Sequence, residues 1–88
     1  MGLGSKRHAA MHRVASSAFR NSANNIHLLR REIVCRRLTD KREALIRLKY
    51  LQAWLTSLRI KHGEFTDCSQ AFYAGEQLTG LRREVSVL

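Results

Sequence analysis

The clearest hydrophobic pattern in the chain lies between residues 41 and 62. Apolar residues recur there at alternating spacings of four and three, which is how an α-helix turns one face toward a neighbouring helix. They are Ala44, Leu48, Leu51, Leu55 and Leu58. Asp40 and Glu43 form a capping-box signature before this pattern, and Gly63 follows it, as is typical of helix termini. The sequence therefore predicts a helix over about 41–62.

The apolar surface of this helix is broader than one two-helix seam requires. Its extra width comes from Ile46, Tyr50, Ala53, Trp54 and Ile60. Such a helix fits the centre of a bundle between two neighbours, or a position between one neighbour and one partner. We favour the core position. If the face instead binds a partner protein or a second copy, the expected contact residues are Leu48, Leu51, Trp54, Leu55 and Leu58.

Two weaker helical patterns precede the central helix. Residues 25–38 place Ile26, Leu29 and Ile33 at helical spacing, on a surface interrupted by arginines. Residues 8–20 form a basic amphipathic segment with small residues on its apolar side. We therefore expect one helix over about 8–20, joined to another over about 25–38.

The C-terminal segment has its own start signal. Asp67 and Gln70 form a second capping-box signature, which predicts a helix over about 68–79 with a frayed end. The chain contains no proline, the strongest interrupter of a helical pattern. The predicted fold is therefore all-α: a small bundle of about three helices with a long central amphipathic helix, which we expect to form its spine.

The first 24 residues differ in composition from the rest of the chain. They contain no acidic residue, are rich in alanine and serine, and place Met11, Val14 and Phe19 on one helical face. Three interpretations fit: a mitochondrial transit peptide, a basic arm that orders on nucleic acid, or a first helix that packs these apolar residues into the core. We accordingly divide the chain into residues 1–24 and a small helical domain at 25–88.

The charge of the chain is large and unevenly distributed. The net charge is +9, and residues 1–42 hold ten basic and two acidic residues, whereas residues 63–88 hold two basic and four acidic ones. A cationic half indicates a polyanionic partner, either nucleic acid or an acidic membrane surface. The alternative is that the charge serves solubility and pairs with the acidic tail inside the molecule.

The leading functional hypothesis is a non-enzymatic basic protein that associates with nucleic acid, RNA rather than a specific DNA sequence, through counterion release. The expected phosphate contacts are Arg30, Arg31, Arg36, Arg37, Lys41, Arg42, Arg47, Lys49, Arg59 and Lys61. Two alternatives belong to other classes. One is a protein-interaction adaptor, for instance a viral accessory protein, that binds an acidic or helical partner. The other is a small mitochondrial protein with a removable N-terminal address.

No catalytic constellation is visible in the sequence. Nucleotide-binding glycine loops, nucleophile elbows and zinc-protease motifs are all missing, and 88 residues of helix leave little room for a closed pocket. We expect no enzyme activity, no cofactor and no metal, although His8 and His12 have a spacing at which two histidines share a helix face. Cys35 and Cys68 are expected to be free thiols in a reducing compartment.

The expected location of the chain is intracellular. There is no stretch of 18 apolar residues, so no transmembrane segment is predicted. The nucleus or cytoplasm is favoured, with the mitochondrion as the alternative. Two short motifs add little: Arg36 to Thr39 fits a basophilic kinase site, and the ending Ser86-Val87-Leu88 fits a PDZ-domain ligand.

Overall fold

The computed structural model describes residues 2–88, with side chains described from Ser5 onward. Over that range the chain forms three α-helices and no β-strand, so the predicted all-α bundle is confirmed. The helices are α1 (Gly2–Val34), α2 (Lys41–Lys61) and α3 (Ser69–Ser86), and a 3₁₀ turn at Gly63–Phe65 leads from α2 into α3.

The helices run up, down and up. α2 is antiparallel to α1, because Arg47 near its start pairs with Glu32 near the end of α1. α3 runs parallel to α1. Arg30 of α1 donates to Gln77 of α3, whereas the ring of Phe65, just before α3, lies against His12 much earlier in α1.

Helix α1 is one continuous element of 33 residues, where the sequence indicated two joined segments. At 1.5 Å per residue it is about 50 Å long, which accounts for the long axis of the molecule, 53 × 20 × 14 Å. α1 contacts both other helices and packs most extensively against α3. The spine of the bundle is therefore α1, and the prediction that the central helix would form it is wrong.

The buried face of α1 continues through residues 21–24, the gap between the two predicted helices. This explains why α1 is one helix. Ala15, Phe19, Ala23 and Ile26 are all fully buried, so both halves contribute to one core. Of the three residues that the core-helix interpretation of this segment placed inside, Phe19 is buried, whereas Met11 and Val14 are exposed. They remain 47% and 53% exposed, although Ala15, adjacent to Val14, is fully buried.

Helix α1 ends four residues earlier than predicted, at a left-handed residue. Arg36 has φ 59°, the positive value that glycine normally supplies at a helix end. Its N–H donates to the Ile33 carbonyl, and the Arg37 N–H donates to the Glu32 carbonyl. These two bonds are the Schellman pattern, and they turn the chain toward α2.

Helix α2 begins where its capping signature predicted. The Asp40 carboxylate accepts from the backbone N–H groups of Arg42 at 2.9 Å and Glu43 at 3.5 Å. At the other end, Gly63 has no positive φ, and the chain continues directly into the 3₁₀ turn. Gly63 therefore follows the helix without supplying a left-handed cap.

Helix α3 begins at a different cap from the predicted one. Cys68 is the N-cap, and its side chain makes no capping hydrogen bond, so the capping role assigned to Asp67 is wrong. The helix continues through Gly80 to Ser86, beyond the predicted end at 79. Gly80 is buried beneath the guanidinium of Arg30, where a Cβ would lie 2.5 Å from Arg30 Cζ. The glycine at position 80 therefore leaves room for the Arg30 side chain, and it does not end the helix.

Candidate nucleic-acid interface and the outer face of helix α2

Four cations form a straight row along one edge of α1. The row consists of Lys6, Arg13, Arg20 and Arg31, all exposed, and we refer to it as the α1 row. At about 100° per residue the four positions fall within about 40° of one another, and they extend over roughly 37 Å of helix. A rigid helix therefore presents these charges in a line.

The α1 row is not neutralised by the chain itself. Among residues 5–88, Arg47 forms an ion pair with Glu32 at 2.9 Å, and the Nδ1 atom of His8 lies 3.9 Å from the Glu64 carboxylate. Neither includes a member of the row. The carboxylates of Asp67, Glu76 and Glu84 in the C-terminal part pair with no cation in this range. Intramolecular pairing with the acidic tail therefore does not account for the excess positive charge.

The row ends at the turn after α1. Arg31 and Arg37 line one polar cavity of about 220 Å³, together with Glu32 and Cys35. Arg36 and Arg37 are both exposed in the turn. Arginine presents a planar fork of donors that matches a phosphate, so this end of the row holds the densest group of suitable donors.

Four of the ten predicted phosphate contacts lie against the protein. Arg47 pairs with Glu32, and the Arg30 Nη1 donates to Gln77 Oε1 at 3.4 Å. Lys41 Nζ lies 3.5 Å from the Ser86 carbonyl at the end of α3. The guanidinium of Arg59 lies over Gly75, where a Cβ would be 3.0 Å from it. Each of these four side chains contacts a neighbouring helix.

The other six predicted contacts are exposed and lie on two surfaces. Arg31, Arg36 and Arg37 belong to the end of α1, while Arg42, Lys49 and Lys61 belong to α2. Three members of the α1 row, Lys6, Arg13 and Arg20, were missing from the prediction. Their seven-residue spacing was a usable signal, but it has meaning only once residues 6–31 are taken as one helix.

The residues predicted to bind a partner are instead part of the core. Leu48, Leu51 and Leu55 are buried, and Trp54 and Leu58 are half-buried against the core. They face α1 and α3, which agrees with the favoured interpretation of α2 as a core helix. Leu48, Leu51 and Leu55 are therefore occupied within the molecule, whereas Trp54 and Leu58 are so only in part.

Three of the four exposed large apolar residues of α2 lie on its opposite side. Ile46, Tyr50 and Ile60 are 63%, 71% and 79% exposed, and Ala53 and Ser57 lie exposed between them. We refer to these five residues as the outer face of α2. A groove of about 390 Å³ adjoins this face, between α1 and α2. It is lined by Asn25, Leu29, Ile46, Arg47, Tyr50, Leu51 and Trp54.

The histidines and cysteines do not assemble into a site. His8 and His12 lie against the ring of Phe65, with centroid distances of 5.1 and 5.6 Å. The residues that the structure describes contain no group of three or more histidine, cysteine or carboxylate side chains able to hold a metal ion. Both cysteines are free, with Cys35 exposed and Cys68 half-buried.

The helices of residues 2–88 are also too polar or too short to cross a lipid bilayer. Comparison of the chain with protein-family models, with curated proteins and with solved structures gives no significant match. Inferences about its function therefore depend on its own residues and their arrangement.

Proposed function

We propose that this chain is a non-enzymatic protein that associates with nucleic acid, RNA foremost, through phosphate contacts along the α1 row. The observation that carries the proposal is the alignment of Lys6, Arg13, Arg20 and Arg31 on one exposed helix edge without an ion pair in residues 5–88. Each phosphate neutralised by such a cation releases condensed counterions, which supplies sequence-independent affinity.

The arrangement of the helices favours this mode over sequence-specific DNA recognition. Helix-turn-helix proteins present a recognition helix that crosses its neighbour steeply and enters the major groove. Here α2 runs back along α1 as an antiparallel hairpin, and α3 lies alongside both. Backbone contacts position a protein on a nucleic acid without reading its bases, and lysine and arginine side chains in a line are suited to that task.

Two variants of equal charge provide the test. The α1-row variant carries Arg13→Gln, Arg20→Gln and Arg31→Gln, and the α2 variant carries Arg42→Gln, Lys49→Gln and Lys61→Gln. All six side chains are exposed, so neither variant is expected to change stability by more than about 0.5 kcal/mol per substitution. Each variant lowers the net charge by three.

Binding is measured by fluorescence anisotropy on a labelled RNA duplex of roughly 20 base pairs, over a series of salt concentrations. We expect wild-type affinity to fall steeply with salt, and the α1-row variant to reduce the slope of log K against log salt by about two to three. The α2 variant should leave most of the slope intact.

Three results would contradict the proposal. Equal effects of the two variants would mean that net charge alone attracts RNA. A wild-type affinity that barely changes with salt would exclude phosphate contacts as its source. Tighter binding to one DNA sequence than to RNA duplexes would assign the chain to sequence-specific DNA recognition.

A further inference from the structure

The outer face of α2 has the spacing of a second helix–helix seam. Its five positions, Ile46, Tyr50, Ala53, Ser57 and Ile60, follow one another at spacings of four, three, four and three. The buried positions of the same helix show the same alternation. Thus α2 carries two seams on opposite sides, and one of them already packs against α1 and α3. A repeated seam of this kind is what a helix uses to pack against another helix.

The charges beside the outer face have one sign. In a two-helix seam the positions next to the apolar ones form ion pairs with the partner helix. On α2 the charged residues at these flanking positions are Arg42, Arg47, Lys49 and Lys61. Arg47 already pairs with Glu32, which leaves three exposed cations for an external helix. No acidic residue occurs from Leu45 to Lys61.

We propose that the outer face of α2 binds an amphipathic helix of another protein, one whose apolar seam is flanked by glutamate or aspartate. Charge complementarity selects this occupant. A second copy of the chain would bring cationic flanks against cationic flanks, and like charges at these positions oppose pairing. An acidic helix would satisfy both sides of the seam. This inference goes beyond the proposed association with nucleic acid, and uses different residues.

The groove beside the outer face supports the same occupant. It lies between α1 and α2 and shares Ile46 and Tyr50 with the face, while Trp54 and Leu29 form apolar parts of its lining. A large apolar side chain of the incoming helix would enter it, as a knob enters a hole. The seam from Ile46 to Ile60 is about 21 Å long, so a partner helix of roughly two to three heptads covers it.

The test uses the full-length protein and synthetic peptides of about 21 residues. The first peptide has leucine and isoleucine at the seam positions and glutamate at the flanking positions. The second has lysine at the flanking positions, and the third is a scrambled version of the first. Binding is followed by anisotropy of a label on the peptide. We expect saturable binding of the glutamate peptide, at least about tenfold tighter than that of the other two.

Variants assign the binding to the outer face. The double variant Tyr50→Gln with Ile60→Gln is expected to bind the glutamate peptide at least about tenfold more weakly than wild type does. Phe72→Gln, an equally exposed apolar change on α3, should have no effect. Lys49→Glu with Lys61→Glu should reverse the preference between the glutamate and lysine peptides. The α1-row variant should bind the glutamate peptide as tightly as wild type does.

Each alternative occupant gives a different result. Equal binding of the scrambled peptide, or loss of binding in the α1-row variant, would show that the peptide acts only as a polyanion, and would overturn the proposal. A wild-type dimer in sedimentation that Tyr50→Gln with Ile60→Gln converts to monomer would make a second copy the occupant. Failure of RNA binding in the separate salt titration would leave these peptide results unaffected.

Discussion

At the scale of single residues, Arg36 stands out because its backbone is left-handed. For a residue with a Cβ, this left-handed conformation costs roughly 1–2 kcal/mol relative to the right-handed helical one. The two backbone bonds of the turn, from the N–H groups of Arg36 and Arg37, hold it in place. The turn between α1 and α2 thus contains a residue whose side chain disfavours the backbone conformation that the turn requires.

Replacement of Arg36 by two small residues separates backbone strain from charge. Arg36→Gly and Arg36→Ala remove the same guanidinium, but only glycine removes the Cβ. We expect the glycine variant to exceed the alanine variant in free energy of unfolding by about 1 kcal/mol. Urea denaturation followed by circular dichroism measures the difference. An alanine variant as stable as the glycine variant would mean that residue 36 is not left-handed in solution.

The residue scale is also where the sequence was least informative. The α2 cap was predictable because Asp40 has a side chain that accepts from N–H groups two and three positions later. The end of α1 was not, because arginine carries no local signal for a left-handed conformation. The start of α3 was missed for a related reason: Asp67 has the right chemistry, but the chain places Cys68 at the capping position.

At the scale of elements, the sequence located α2 to within a residue but divided α1 in two. The polar run from Asn21 to Asn25 has the composition of a loop. Burial overrides that preference, because Ser22 and Ala23 lie in the core beside fully buried Phe19 and Ile26. Tertiary packing of this kind is not visible in a local window of sequence, whereas the regular leucines and clear cap of α2 are.

Shortening α1 tests how much of it the fold requires. A chain that starts at Arg13 loses the contacts of His8 and His12 with Phe65 but no buried residue of those described, Ser5–His12, so its loss of stability should be small. A chain that starts at Asn25 loses Phe19 and three smaller buried residues. Deletion of one buried phenylalanine side chain typically costs about 3–5 kcal/mol, a large part of the stability of a small domain.

We therefore expect the shorter chain to be unfolded at 25 °C, as measured by thermal melting in circular dichroism. If the two shortened chains melted at the same temperature, the first half of α1 would not be needed for folding. The result also bears on the hypothesis of a removable mitochondrial address. If such an address exists and the bundle survives its removal, cleavage is expected before Ala15, so that the α1 half of the core stays intact.

At the scale of the whole molecule, the two proposed surfaces face in different directions. Asn25, Leu29 and Glu32 mark the side of α1 that turns toward α2. The α1 row lies about 80° or more around the helix from these residues. The sequence revealed the excess of positive charge, but the folded chain was needed to separate cations that hold helices together from cations that remain free.

This separation predicts that RNA and an acidic helix bind at the same time. The two surfaces use different residues on different helices, and charges are screened over about 8 Å at physiological salt. Saturating RNA should therefore change the affinity for the glutamate peptide by less than about threefold at 0.15 M salt. Competition in an anisotropy titration, with RNA displacing the peptide, would show that both ligands use one surface.

The position of Trp54 has a practical consequence for all of these measurements. The chain contains one tryptophan, and its half-buried indole lines the groove next to Tyr50 and Ile46. A helix that docks there would remove water from the indole and shift its emission to the blue, whereas RNA on the α1 row would leave the spectrum in place. The protein therefore carries an intrinsic optical reporter of one of its two surfaces.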